Sequence, residues 1–271
     1  MRAEVGLLSR NLLINGDETS VEPVQYGGTI MLHSAGDESL TGRIEGIEAT
    51  RMGQAFRLGR YPIHFHMVGN VSKSYVKNCT VHHANNRAIA IHGVNHLTVS
   101  WNVVFDTRGH AVFIEDGTEV RNTLSYNLVA MVRPIWSLLL VDQSPACYWI
   151  VNPDNDVYGN VAAASSHYGF WYRQLEKPDG ISGQSAAEQN AKQFPIYTPL
   201  ARMEGNVAHS TKRHGLKVSD YFPTVGGASS NTFGEPATFR DFLGWNNGRF
   251  GVWGEFLVDV NFDGLRVLNP G

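Results

Sequence analysis

Short strand-turn-strand units recur along this chain, and such recurrence limits the fold more than any single motif does. "NCTVHHANNRAIAIHG" (Asn78 to Gly93) sets beside "NVVFDTRGHAVFIEDG" (Asn102 to Gly117). Arg87-Ala88-Ile89-Ala90-Ile91-His92 then falls over His110-Ala111-Val112-Phe113-Ile114-Glu115, a shift of 23 residues. "GNVAAASSHYGFWY" and "GNVAHSTKRHGLKV" bring Asn160 over Asn206 and Gly169 over Gly215, and "FLGWNNGRFGVWG" puts Gly251 in the same slot. A fixed period in the low twenties marks a solenoid. The repeated runs are short, β-branched or aromatic, and bounded by Gly, Asn and Asp turns, which reads as strands. No long 3.6-residue periodicity with caps interrupts them. The expected fold is all-β, a single-stranded right-handed parallel β-helix with coils of roughly 22–26 residues. Each coil stacks roughly 4.8 Å above the last. A lone coil cannot bury its apolar side, so neighbours share one core. The competing fold, a β-sandwich of even hairpins, does not call for whole units to repeat.

One domain over residues 1–271 follows, with N-terminal coils in 1–58, site-bearing coils in 59–130 and C-terminal coils in 131–271. A hydrophobic share of 42% against 17% charged residues suits an ordered chain. A net charge of −3 with both signs mixed provides no basic face, so nucleic acid is not an expected partner. The longest apolar run, "IWSLLLV", is far short of the roughly 18 residues of a membrane helix, so no membrane insertion by this segment is expected. "MRAEVGLLSR" lacks the apolar stretch of a signal peptide. The abrupt ends, "MRAEV" and "LNPG", fit an excerpt of a longer protein. Cys79 and Cys147 allow one disulfide without requiring it. Asn70-Val71-Ser72 and Asn78-Cys79-Thr80 are sequons for N-glycosylation. Phosphate-loop, zincin and nucleophile-elbow motifs are absent.

Side chains on a strand alternate between two faces. In Ile63-His64-Phe65-His66 the apolar residues go inward and both histidines outward; in Ile89-Ala90-Ile91-His92 and Val112-Phe113-Ile114-Glu115 the last residue goes outward. Registering the strands on Phe65, Ile91 and Ile114 lines up His66, His92 and Glu115 in one outer column. The steps of 26 and 23 residues predict a small insertion near "NVSKS". His64 shares that face beside Ala90 and Phe113, Asp116 follows in the turn "EDG", and Arg87 and His110 form a second column at the strand starts. Imidazoles with a carboxylate suit a divalent ion such as zinc or manganese. Calcium would lean on Glu115 and Asp116 with carbonyls and water. An open coordination position could polarise a substrate or activate water. The plainer alternative is a set of solvated polar residues on an exposed sheet. His82 and His83 read as turn caps, and His33, His96, His167, His209 and His214 as scattered structural residues. The rings of Tyr168, Trp171 and Tyr172 in "HYGFWYR" suit stacking against sugars, whereas Phe170 and Phe250 read as core.

"RAEVGLLSRNLLI", "GRYPIHFHMVGN", "IHGVNHLTV", "FDTRGHAVFIEDGTEVRNTLSYNL" and "HYGFWYR" together resemble one family. It is the parallel β-helix region shared by fibrocystin-L, the cell-migration-inducing hyaluronan-binding protein and the transmembrane cell-surface hyaluronidase. The resemblance runs in matching order from about Arg2 to the last coil. It implies an extracellular or cell-surface setting as part of a longer chain, and an acidic, hyaluronan-like polysaccharide as partner. It also implies a metal on the outer sheet, similar to that of β-helix polysaccharide lyases. Carried over by motif, it points to His66, His92 and Glu115 as metal ligands, with His64 and Asp116 beside them. Arg87, His110 and Arg121 are the nearest cations, so that His64, Arg87, His110 and Asp116 become the catalytic candidates and Arg121 a substrate contact. Animal members carry more cysteine here. The segment after "RNTLSYNL" is short, which predicts a trimmed cleft. Two functions remain open: a polysaccharide hydrolase or lyase, and an adhesion module without turnover.

Overall fold

A computed structural model describes residues 3–34, 38–137, 139–189, 193–225 and 234–268. Arg2, Leu138 of the apolar run and the terminal "NPG" lie outside them. Among the described residues the strands form three sheets of nine, eight and eight strands, and every strand pairing within them is parallel. Consecutive strands of the chain belong to different sheets, so the chain winds through all three before returning one coil higher. The fold is therefore a parallel β-helix. Its interior is one continuous apolar column that includes Phe65, Ile91, Ile114, Tyr148 and Phe170, all 0% exposed.

The sheet that carries the site comprises Ile30–His33, Ile63–Asn70, Ile89–Asn95, Val112–Ile114, Ala146–Ile150, Tyr168–Arg173, His214–Tyr221 and Phe250–Leu257. Its register agrees with the predicted alignment: Phe65 pairs with Ile91, Ile91 with Ile114, and His66 with His92. The extra residues of the first site coil are split. The pairing offset drops from 26 to 25 between His66 and Gly69, at a bulge with Met67 at φ 54°, and from 25 to 23 between Asn70 and Tyr75.

Successive coils do not keep one length. Down the column Ile89, Val112, Tyr148, Phe170, Leu216 and Val252 the steps are 23, 36, 22, 46 and 36 residues. The excess lies in segments that leave or enter the site sheet at its two edges. One spans 134–145 and carries a 3-10 turn at Leu140–Gln143; another spans 174–201 and carries an α-helix at Gly180–Glu188. They overturn the expectation of a trimmed cleft. The segment after Leu128 is long enough to build a wall, and among the described residues a single α-helix accompanies the strands.

At the corner opposite the site sheet no coil is lengthened. Each coil crosses it with one left-handed residue, among them Asn78, Trp101, Tyr126, Gly159 and Gly205. Trp101 and Tyr126 hold φ of 58° and 55°, and their exposed rings stack at 4.6 Å. Gly159 continues the row because a Cβ there would lie 2.6 Å from the Tyr126 ring. The next position along the chain is a ladder of buried asparagines. The main-chain N–H of Cys79 donates to Asn102 Oδ1, that of Asn102 to Asn127, that of Asn127 to Asn160 and that of Asn160 to Asn206, at 2.9–3.0 Å. Each Asn amide also donates to a carbonyl of the coil before, as Asn127 does to Val99. Cys79, which begins this ladder, and Cys147 are both buried, free thiols.

Two aromatic expectations change with burial. Tyr172 is fully buried and packs on Phe239, so it is a core residue with no sugar-facing surface. Phe250 is 46% exposed, whereas Phe170 is core.

Candidate metal and glycan site

The predicted column exists, but it lies under a roof. Leu139 and Val141 from one edge segment and Gly180 and Ile181 from the other enclose a cavity of about 420 Å³ above His66, His92, Glu115 and Asp116. Phe113 and Trp149 form its apolar floor and are nearly fully buried. Gly180 sits at φ 63° where a Cβ would collide with the Asp116 carboxylate, so glycine lets the helix start against the site.

One ligand atom from each of His64, His92 and Glu115 lies within 4.8 Å of the others. The tautomer of His64 follows from its partner. Its Nδ1 lies 2.8 Å from the Gly59 carbonyl, which only accepts, so Nδ1 carries the hydrogen. Nε2 then presents a lone pair, buried and without any hydrogen-bond partner. Burial pushes the His64 pKa down to about 3, which keeps the ring neutral and able to ligate. His92 gives Nε2 to Asp116 Oδ2 at 2.7 Å and turns Nδ1 toward Glu115 Oε2 at 3.4 Å. Burial alone would lower the His92 pKa, but the Asp116 hydrogen bond and Glu115 push it up to about 9. Glu115 Oε2 is a second buried atom without a hydrogen bond. A carboxylate behind a histidine whose other nitrogen faces the centre is a frequent metal-site arrangement.

Asp116 is oriented from three sides, by His92 and by the main-chain N–H and hydroxyl of Ser182 at 3.1 and 2.9 Å. Burial would raise its pKa, yet the His92 and Ser182 hydrogen bonds hold the carboxyl below its ordinary value. Glu119, fully buried, accepts from the main-chain N–H groups of Gly93, Asp116 and Gly117 and so shapes the "EDGTE" turn. Burial pushes the Glu115 and Glu119 carboxyls above their ordinary values; it would raise that of Asp142 too, but Arg87 and His110 beside it hold the Asp142 carboxyl below its own. Two buried ligand atoms without a hydrogen bond, close to a third, fit a divalent cation, and the donor set, two imidazoles and a carboxylate, suits zinc or manganese once His92 gives up its Nδ1 proton.

His66 is half-buried and lines the cavity, yet it lies outside the triplet; its ring is 5.0 Å from His64 and 4.8 Å from His92. Burial, with His92 beside it, pushes its pKa down to about 4. Its Nδ1 meets Nδ1 of His33 at 3.0 Å. His33 was expected to be a scattered structural residue. It is the first member of the column, paired with His66, and the shared ending of "IMLH", "IHFH" and "IAIH" is the signal that reveals it.

Other candidates do not reach the cavity. Arg87 and His110 do stand together at the strand starts, but both are 0% exposed, because Asp142 from segment 134–145 covers them. Arg87 bonds Asp142 Oδ2 at 3.1 Å and the Tyr61 hydroxyl at 2.7 Å, and lies 3.5 Å from Glu115. Neither side chain can touch a ligand; Arg87 instead positions Glu115 from below. Arg121 is exposed and pairs with Asp154 at 3.8 Å, outside the lining of the cavity. Tyr168 is buried, between Trp171 at 4.7 Å and His214 at 5.5 Å, and Trp171 is half-buried on the outer face. Asp142, Glu119, Trp149 and Ser182 were not foreseen. Trp149 could have been, since it stands in register with Phe113.

Residues 25–216 match the family model described as CEMIP beta-helix. The chain is 40% identical to Fibrocystin-L of Mus musculus over 93% of its own length and 7% of that protein. It is 32% identical to Cell surface hyaluronidase CEMIP2 of Homo sapiens over 85% of the chain and 19% of that protein. To Communication mutant protein F of Dictyostelium discoideum it is 31% identical over 92% of the chain and 22% of that protein. The chain thus spans less than a quarter of each of these relatives. Among its described residues no helix is long and apolar enough to cross a membrane.

Proposed function

Because the chain belongs to the CEMIP β-helix family, we propose that its roofed cavity binds an acidic, hyaluronan-like polysaccharide with the help of a divalent ion held by His64, His92 and Glu115. The observation that carries this reading is the buried, partnerless Nε2 of His64, within 4.8 Å of ligand atoms of His92 and Glu115, two residues that line the cavity. Such an ion would supply positive charge to a uronate carboxylate beside Glu115 and Asp116. Asp116 fixes the His92 ring, Gly59 fixes His64, and Arg87 holds Glu115 from beneath. Phe113 and Trp149 give the apolar floor that a sugar face needs. The chain's relative Cell surface hyaluronidase CEMIP2 supports both the polymer and a setting at the cell surface.

The test is elemental analysis of the purified protein together with its retention on immobilised hyaluronan, before and after chelation. About one zinc or manganese per chain is expected, absent from the His64→Ala/His92→Ala variant, with retention falling in step. No bound ion, together with retention indifferent to chelation, would overturn the reading. The polymer recovered from the same samples separates the two activities. Shortened chains that require His92 mark an enzyme, with unsaturated ends if it is a lyase and none if it is a hydrolase. Polymer of unchanged length marks a binding module.

A further inference from the structure

The outer face of the site sheet carries a row that begins in the cavity floor and continues past it. Phe113 pairs with Trp149, Trp149 with Trp171, Trp171 with Lys217 and Lys217 with Trp253, so one outward position per coil runs up the axis. The row is aromatic apart from Lys217, whose ammonium lies 4.2 Å from the centroid of the Trp171 ring and 5.3 Å from that of Tyr168. Lys217 makes no ion pair among the described residues, although Glu255 and Asp220 stand on neighbouring positions of the sheet. Arg173, which lies over Trp149 at 5.4 Å, likewise makes no ion pair among the described residues, although Asp179 shares the cavity with it, and it lines both that cavity and a second groove of about 390 Å³ beside Trp171. Trp253, half-buried, packs with Phe250 at 5.1 Å at the far end.

Cations held on aromatic faces rather than by carboxylates keep their charge available to an anion from outside. Rings beside them supply the apolar half of sugar recognition. The spacing also fits: four coil steps from Glu115 to Trp253 span about 19 Å at roughly 4.8 Å each, comparable with several rings of an extended glycan.

We infer that Trp171, Lys217 and Trp253, with Arg173 at the junction, continue the site as a track for a linear uronate-bearing glycan laid along the helix axis, so that the ligand is a chain several sugars long rather than a single unit. The inference rests on the glycan reading of the cavity and extends it past the Trp171 strand to the coils of Lys217 and Trp253. It assigns Lys217 to a carboxylate and Trp253 to a sugar face beyond the cavity.

The test compares a hyaluronan disaccharide with a hyaluronan octasaccharide by calorimetry on the wild type, Lys217→Gln and Trp253→Ala. The octasaccharide should bind the wild type at least about tenfold more tightly than the disaccharide, an advantage of about 1.4 kcal/mol. Each variant should lose most of that advantage and leave disaccharide binding and the bound ion unchanged. A wild type that binds the two ligands equally, or variants that keep the full preference, would overturn the track and leave the cavity reading standing. Octasaccharide binding that Lys217→Gln weakens but chelation and His92→Ala do not would support the track and sink the metal reading. Melting temperature separates binding loss from misfolding, and Lys217→Gln, at a half-buried position, is the milder of the two changes.

Discussion

Arg87 shows how much of the site depends on a residue that meets no solvent. Its guanidinium bonds Tyr61 and both oxygens of Asp142, lies 3.5 Å from Glu115, and sits 3.5 Å from the centroid of Phe113. Replacing it with methionine preserves the volume of the stem but strands Asp142 and Glu115 as buried charges. Breaking one side of such a network costs roughly 3–5 kcal/mol, so Arg87→Met is expected to lower the urea midpoint sharply and to reduce metal content with it. An unchanged midpoint would mean that Asp142 and Glu115 are neutral in the native state. Alternation along a strand was enough to read His66, His92 and Glu115 as one column, and His33 was open to the same reading. The burial of Arg87 and His110 was not, because alternation tells only which face a residue is on. What covers that face comes from Asp142, 55 residues along the chain from Arg87.

Among the elements, the asparagine ladder has the most exposed dependence on single side chains. Asn127 donates to Val99 and Asn160 and accepts from both the main-chain and side-chain N–H groups of Asn102. Alanine there would leave several buried groups without partners, at about 1–3 kcal/mol for each group orphaned. Asn127→Ala should therefore destabilise by roughly 2–4 kcal/mol in urea denaturation, with metal content per folded chain unchanged. A loss below 1 kcal/mol, on the order of a surface substitution, would show that water replaces the ladder. The strands and this ladder were legible because they repeat: asparagine before each short strand, glycine at fixed offsets. The helix at Gly180–Glu188 was not. It holds two glycines, shows no apolar stripe, and its propensity is poor. Its anchor is tertiary, since Ser182 bonds Asp116 and Glu119.

For the whole molecule, buried imidazoles set the response to pH. His64 and His110 are 0% exposed, and burial pushes each pKa down to about 3. In the unfolded chain both would protonate near pH 6.5. Below that pH the unfolded state therefore binds more protons than the native one, and stability falls as pH falls toward 3, by up to about 1.4 kcal/mol per pH unit for each ring. His92 acts on the other side: with its pKa pushed up to about 9, its contribution is complete below 6.5 and is lost as pH rises toward 9. Urea midpoints of metal-free protein should peak near pH 6.5, and His110→Gln should flatten the acid limb. A profile that is flat between pH 5 and 7 would contradict the buried, neutral state of both rings. At this scale the solenoid was readable from its period, while the roof of the site was not, since residues 134–145 and 174–201 repeat nothing. The corner that bears the asparagines counts residues: one residue added there would unseat a donor and an acceptor in every neighbouring contact. At the edges of the site sheet an added residue costs only loop closure, which grows slowly with length. The scaffold therefore separates a spine that cannot drift from two rims that can. Rim segments exchanged between members of this family should carry ligand preference with them while the spine folds as before.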